Sequence, residues 1–167
     1  MYYYIFDVDS TLYQIVNNSF YKYITNIKQL YDDIKYDVEL CKLISNISNK
    51  YIISNGSKLH VNNVLNKLAI NKYFLPKNIA CLEDFNQLPK PNMYSYFISL
   101  KKFNLKNMKN KILFFEDNLN NLKSAKQIFR WTTILISKGM GTKPTYVDFI
   151  FPNIKCALKY FNKFDLQ

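Results

Sequence analysis

The sequence predicts an α/β layered fold, a mainly parallel sheet with helices on both faces. Three observations lead there. Continuous apolar, β-branched or aromatic runs recur as YYYIF (2–6), YIIS (51–54), ILFF (112–115) and TTILI (132–136). Runs without polar alternation suit strands covered on both faces, as in a parallel sheet. Segments with helical spacing lie between them, and strand–helix–strand repeats close by right-handed crossovers. Polar clusters follow the strand runs, and in parallel α/β sheets ligands collect beyond the carboxyl ends of the strands.

Taken in order, YYYIF is the first strand, and the stretch from 13 to about 36 (including NNSFYKYITNIKQLYDD) breaks the rhythm. It reads as a polar-aromatic helical segment without a strand partner, an insertion after strand 1. YDVELCKLISNI (36–47) places Val38, Leu40, Cys41, Ile44 and Ile47 on one helical face and leads into YIIS, so it belongs to the core. KLHVNNVLNKLAI (58–70), NMYSYFISLKKF (92–103) and NLNNLKSAKQIF (118–129) are the crossover helices, and VDFIF (147–151) with NIKCALKYF (153–161) forms a last short strand and closing helix. No repeats or linkers interrupt the chain. At 167 residues it can bury one sizeable core but not two, so residues 1–167 are read as a single domain.

Cys41, Cys81 and Cys156 are an odd number, far apart and without CxxC spacing, which argues against a disulfide framework and a zinc site and predicts buried thiols in a reducing compartment. The start MYYYIFD lacks a basic n-region and no apolar run reaches membrane-spanning length, so a cytoplasmic protein without a membrane partner is expected. The net charge of +11 suits a polyanionic partner such as nucleic acid, because clustered cations neutralise phosphates. Here the lysines are spread along a chain also rich in Asn, Ile and Tyr, which is the pattern of a general compositional bias.

The chemistry-bearing residues fall at the strand ends: Asp7-Val8-Asp9-Ser10-Thr11 after the first, Ser54-Asn55-Gly56-Ser57 after the second, Glu116-Asp117-Asn118 after ILFF, and Lys90 between two prolines before another helix. Four acids and one lysine thus converge on one rim. Gathered carboxylates raise one another's pKa, and such a site calls for a cation. Mg²⁺ fits, being held by one or two carboxylates plus substrate phosphate oxygens, with Asp7 and Asp117 as the expected direct ligands. A phosphoryl oxyanion there would be stabilised by Lys90, the Ser54 hydroxyl and turn amides.

DxDxT at 7–11, Ser54, Lys90 and the acidic pair 116–117, in this order and strand context, resemble the four motifs of haloacid dehalogenase-like phosphatases. The resemblance covers about residues 2–161 and implies a Rossmann-like three-layer sandwich. It implies that Asp7 is the nucleophile forming an aspartyl-phosphate and Asp9 the general acid and base, whose backbone carbonyl also meets the metal. Ser54, Asn55 and Lys90 would bind the phosphoryl group. Asp117 would ligate Mg²⁺, while Glu116 either ligates it, acts through water, or holds the loop by accepting backbone N–H groups. The acid at position 9 implies phosphatase chemistry over the dehalogenase and P-type ATPase branches.

Within the family, FDVDSTLY, SNGSKLHVNNVLNKLAI, LPKP and FFEDNLNNLKSAK are similar to the pyrimidine 5′-nucleotidase branch, with Asn55, Lys58, His60, Asn118 and Asn121 matching its pattern. That likeness implies a nucleoside monophosphate substrate. Thr11, Tyr13 and Asn118 are candidate substrate-lining residues; His60, the sole histidine, taken alone reads as an ordinary helix residue. Only residues 12–36 are free for the helical cap that follows the first motif in this branch, so a minimal cap is expected. An open rim leaves substrate selection loose, supplied by a second subunit, as in a homodimer, or suited to a bulky phosphorylated partner such as phosphoprotein or a nucleic-acid end. The Gly expected after the AK-containing helix is replaced by Phe129-Arg130.

Overall fold

The computed structural model describes residues 2–14, 27–105, 111–139 and 141–165. The apolar runs alternate between two covered faces, which is why they lack polar residues. Tyr4, Phe6, Ile52, Leu113, Phe115, Ile134 and Ile136 enter one buried cluster; Ile5, Tyr51, Ile53, Ile112, Phe114 and Leu135 enter the other. Phe6, fully buried, shows the density of this packing: its ring stacks on Phe115 at 5.0 Å and meets the edge of Phe74 at 6.3 Å.

Among the described residues six strands form one sheet: β1 (Tyr3–Phe6), β2 (Lys50–Ile53), β3 (Ile79–Ala80), β4 (Ile112–Glu116), β5 (Thr132–Ile136) and β6 (Phe149–Phe151). Their order is β3-β2-β1-β4-β5-β6 and every pairing is parallel. The helices are α1 (Ile27–Asp33), α2 (Val38–Ser45), α3 (Lys58–Lys67), α4 (Met93–Lys102), α5 (Leu119–Phe129) and α6 (Ile154–Asp165). Buried residues of α2, α3 and α6 line the first cluster, and those of α4 and α5 line the second. The result is the Rossmann-like three-layer sandwich expected from the sequence. No helix of the described residues is long and apolar enough to cross a membrane.

Chain reversal between β1 and β4 creates the switch point at which α/β sheets bind ligands. Register places Phe6 beside both Ile52 and Phe115, so the segments that leave β1, β2 and β4 emerge together. Short polar residues start the helices that follow. Ser57 accepts from the backbone N–H of His60 at the head of α3, Asn92 from Tyr94 at α4, and Asn118 from Asn120 at α5. Each cap satisfies an orphan helix donor and contributes about 1 kcal/mol.

Four features depart from expectation, the first being that Cys156, expected to be buried like Cys41 and Cys81, is exposed on α6. β3 was not anticipated, because two residues carry no periodicity; it forms where Ile52 and Ile53 pair with Ile79 and Ala80. Val38, placed on the apolar face of the core helix, is 66% exposed, while Leu40, Cys41 and Ile44 are buried as expected. The helix begins at Val38, capped by Asp37, so its first residue projects outside the packed stripe. Within the insertion read at 12–36, α1 is a helix of seven residues; positions 15–26 lie outside the described residues.

Arg130 occupies the C-cap of α5 at φ 59°, the left-handed conformation that glycine adopts freely and other residues at a cost. The replaced glycine therefore leaves its backbone geometry behind. Arg130→Gly is expected to raise stability by about 1 kcal/mol, read as a higher urea midpoint with an unchanged slope.

Candidate active site

Lys90 is the centre of the site. Its ammonium, fully buried, donates to Asp7 Oδ1 at 2.8 Å and to Glu116 Oε2 at 2.7 Å. Its backbone is held as firmly: Asn55 Nδ2 donates to the Lys90 carbonyl at 2.9 Å and Lys90 N–H donates to Asn55 Oδ1 at 2.8 Å. The peptide bond between Lys90 and Pro91 is cis. The tip of β2 and the loop before α4 are thus joined by two reciprocal bonds, and the Asn55 carboxamide is used in holding Lys90. Ser54 is fully buried and accepts from the backbone N–H of Gly56 at 3.0 Å.

Glu116 is fully engaged by protein donors. Oε1 accepts from the backbone N–H groups of Asp117 and Asn118, both at 3.1 Å, and Oε2 from Lys90 and from Asn121 Nδ2 at 3.0 Å. Asn121 is fixed in turn, its carbonyl accepting from the hydroxyl of buried Tyr96 at 2.9 Å. Of the three roles open for Glu116, this bonding describes the loop-holding one. Asp7, Glu116 and Asp117 nonetheless gather tightly, with oxygens all within 4.8 Å of one another. Asp7 and Glu116 are buried and Asp117 is exposed; hard carboxylate oxygens so gathered fit Mg²⁺, and Asp7 and Asp117 are the members with oxygens to spare.

Asp9 stands apart from that group. Its Oδ1 accepts from Tyr13 Oη at 2.6 Å and lies 2.8 Å from His60 Nε2, while the side chain stays 36% exposed. Tyr31, on α1, places its hydroxyl 3.0 Å from His60 Nδ1. Among the other candidates, Thr11 is wholly buried with its hydroxyl unpartnered among the described residues, Tyr13 is buried against Asp9, and Asn118 is exposed at the cap of α5. Lys58 lies at the rim, its ammonium 3.4 Å from Asp84. Tyr31 went unrecognised in the sequence, where nothing local distinguishes it from the other tyrosines.

The two aspartates, two positions apart, titrate in opposite directions. Burial and the neighbouring Glu116 raise Asp7 from its usual 3.8 to about 7, against the pull of Lys90. Burial also pushes Asp9 upward, but the bonds from His60 and Tyr13 outweigh it and hold the carboxyl below its usual value. Burial alone would depress Lys90; Asp7 and Glu116 reverse this and raise it.

This is an α/β fold with an acidic, lysine-bearing rim at its switch point. A profile of haloacid dehalogenase-like hydrolases matches residues 21–128, well over half of the chain, and the protein belongs to that family. The DxDxT segment precedes the matched span. Among solved structures, the L-2-haloacid dehalogenase of Xanthobacter autotrophicus with chloropropionic acid covalently bound superimposes with a TM-score of 0.64 at 13% identity. That match covers 84% of this chain, which spans 66% of the dehalogenase, just under two thirds. A Bacillus subtilis protein assigned as a candidate HAD-hydrolase, YfnB, bound to magnesium, gives 0.67 at 16% identity over 96% of this chain and 99% of its own. A HAD-like protein of unknown function from Agrobacterium tumefaciens gives 0.66 at 15% identity over 91% and 72%. At such identities the likeness is one of fold. No curated protein matches the sequence.

A carboxyl raised in the fold stabilises below its unfolded pKa and loses that contribution as pH rises through the folded value. For Asp7 the contribution is therefore complete below 3.8 and lost through about 7. Metal-free protein should melt at a lower temperature at about pH 8 than at about pH 5, and Mg²⁺ should raise the melting temperature more at the higher pH. Asp7→Asn should flatten both responses. Lys90→Met, which strands two buried carboxylates, should cost about 3 to 5 kcal/mol in chemical denaturation.

Proposed function

We propose that this hydrolase is a Mg²⁺-dependent phosphomonoesterase acting through an aspartyl-phosphate on Asp7, with a nucleoside 5′-monophosphate as substrate. The observation that carries the reading is the division of labour between two carboxylates. Asp7 is buried, held at one oxygen by Lys90 and set among metal-suited acids. Asp9 is partly exposed and held at one oxygen by Tyr13 and His60.

In the first half-reaction Asp7 Oδ2 attacks phosphorus, the ester P–O bond breaks, and Asp9 gives a proton to the departing oxygen. In the second, water attacks the phosphorus, its proton passes to Asp9, and the bond to Asp7 breaks. Arrival of a dianionic phosphoryl group raises the proton affinity of Asp9 by like charge, which equips it to carry that proton. Lys90 neutralises Asp7 and Glu116 from beneath, and Ser54 with the turn amides after β2 serves the phosphoryl oxygens. Asp7 and Asp117 would hold Mg²⁺, which when bound would supply positive charge against the ionised Asp7 and the phosphoryl group. The nucleotide preference rests on the likeness of SNGSKLH and FFEDNLNNLKSAK to the pyrimidine 5′-nucleotidase branch. The cytoplasmic setting rests on the free, widely spaced cysteines.

A panel of nucleoside monophosphates, sugar phosphates, phosphopeptides and 5′-phosphorylated DNA, assayed with Mg²⁺ for phosphate release, tests this. Turnover of nucleotides that disappears with EDTA and falls by about 10³-fold or more in Asp7→Asn is the expected result. Turnover confined to phosphopeptides or DNA ends would replace the substrate assignment. Chloride release from 2-chloropropionate without phosphate release would replace the reaction.

A further inference from the structure

We propose that His60 is a positioning residue for Asp9, and that Tyr31, reaching over from α1, fixes the imidazole in turn. This rests on the phosphomonoesterase reading of Asp9 and adds how that carboxylate is aimed.

Both donors to Asp9 converge on the same oxygen. Tyr13 Oη at 2.6 Å and His60 Nε2 at 2.8 Å meet Oδ1, while Oδ2 receives no bond among the described residues. Pinning one oxygen of a carboxylate from two directions fixes the direction of the other, and a general acid must present its proton within about 3 Å of the leaving oxygen. The donor sense follows from the acceptors. A carboxylate can only accept, so Nε2 donates to Asp9; in the tautomer with that single proton Nδ1 is free to accept from the Tyr31 hydroxyl, and this is the arrangement we assign. The chain of bonds runs from α1 through α3 to the loop after β1, joining residues 29 and then 51 positions apart.

The ring is held by shape as well as by bonds. Tyr31 and His60 pack with centroids 5.7 Å apart at 34°. On the other side, a Cβ at Gly56 would lie 2.7 Å from His60 Cδ2. Only glycine leaves room there for the imidazole in its observed place. The backbone of His60 is tied by its own N–H to Ser57 Oγ at 3.2 Å. A partly exposed helix histidine with no partner would sample several rotamers; this one is confined by Gly56, Tyr31 and Asp9 together.

The test compares two esters with Mg²⁺ present: glycerol 2-phosphate, whose alkoxide must be protonated as it leaves, and p-nitrophenyl phosphate, whose phenolate leaves unaided. In His60→Leu the ratio of kcat/KM for p-nitrophenyl phosphate to that for glycerol 2-phosphate, which reports the step in which the ester bond breaks, should rise about tenfold or more, and His60→Gln, which retains a donor, should recover much of it. Tyr31→Phe, which keeps the ring and loses the hydroxyl, should shift the ratio in the same direction by less. Equal losses on both esters would mean a structural role and overturn the proposal. Because His60 is the sole histidine, its imidazole ¹⁵N spectrum is unambiguous and independent of turnover. It should show a protonated Nε2 and an accepting Nδ1 whose resonance moves in Tyr31→Phe; a protonated Nδ1, or no response to Tyr31→Phe, would overturn the arrangement whatever the kinetics. Wild-type protein inert toward every phosphate ester would overturn the phosphomonoesterase reading and the positioning role with it, even with the spectrum as expected.

Discussion

One buried cation organises this molecule. The Lys90 ammonium is shielded from solvent, so its charge is tolerable only because Asp7 and Glu116 lie within hydrogen-bond distance of it. The converse holds for the two acids, which without Lys90 would be uncompensated charges beneath the sheet's edge. Such groups repay little net stability, yet removing one partner is costly, so the arrangement sets position more than it sets stability. Asn55 serves the same end by clamping the Lys90 backbone from the tip of β2. Four segments are brought to one point by charge and hydrogen bonding, while the apolar sheet beneath provides the rigidity.

Glu116 carries this order outward. Its four accepted bonds shape the turn after β4, and through Asn121 and Tyr96 it is connected to the aromatic cluster under α4 and α5. Tyr96, Phe114, Phe129 and Trp131 pack edge to face or tilted at centroid distances of 5.3 to 6.1 Å. Core packing and polar rim are therefore one structure, since the same tyrosine that fills the core places the asparagine that holds the acid. This frees Asp7 and Asp117 for a cation.

Opposed environments for two acids of the same type are what hydrolytic chemistry needs. Asp7 follows the buried strand β1 and faces Glu116 as well as Lys90; Asp9, two positions further, is bonded by Tyr13 and His60. Ser10 next to it takes a left-handed φ of 59°, and the chain turns there back toward Val8 through the N–H groups of Thr11 and Leu12. The tight turn puts the two side chains into different surroundings despite their closeness in sequence.

Much of this was legible in the sequence. Buried strands announce themselves as unbroken apolar runs because both faces of a parallel sheet are covered, and the helices by their apolar spacing. The acidic and hydroxyl residues at strand ends were legible as a site because parallel topology sends every strand's carboxyl end to the same edge. What the sequence could not show was which side chain meets which. Lys90 and Asp7 are 83 positions apart, Asn55 and Lys90 are 35, and His60 and Asp9 are 51, and no local pattern encodes such partners. Hence Asn55 holds the lysine backbone, Glu116 directs its lone pairs to its own loop, and a histidine unremarkable on its helix reaches an acid of the candidate site. Periodicity records burial, which is a property of each residue and its near neighbours; hydrogen bonds at a site depend on distances of a few tenths of an ångström between distant segments, and only the folded sheet sets those.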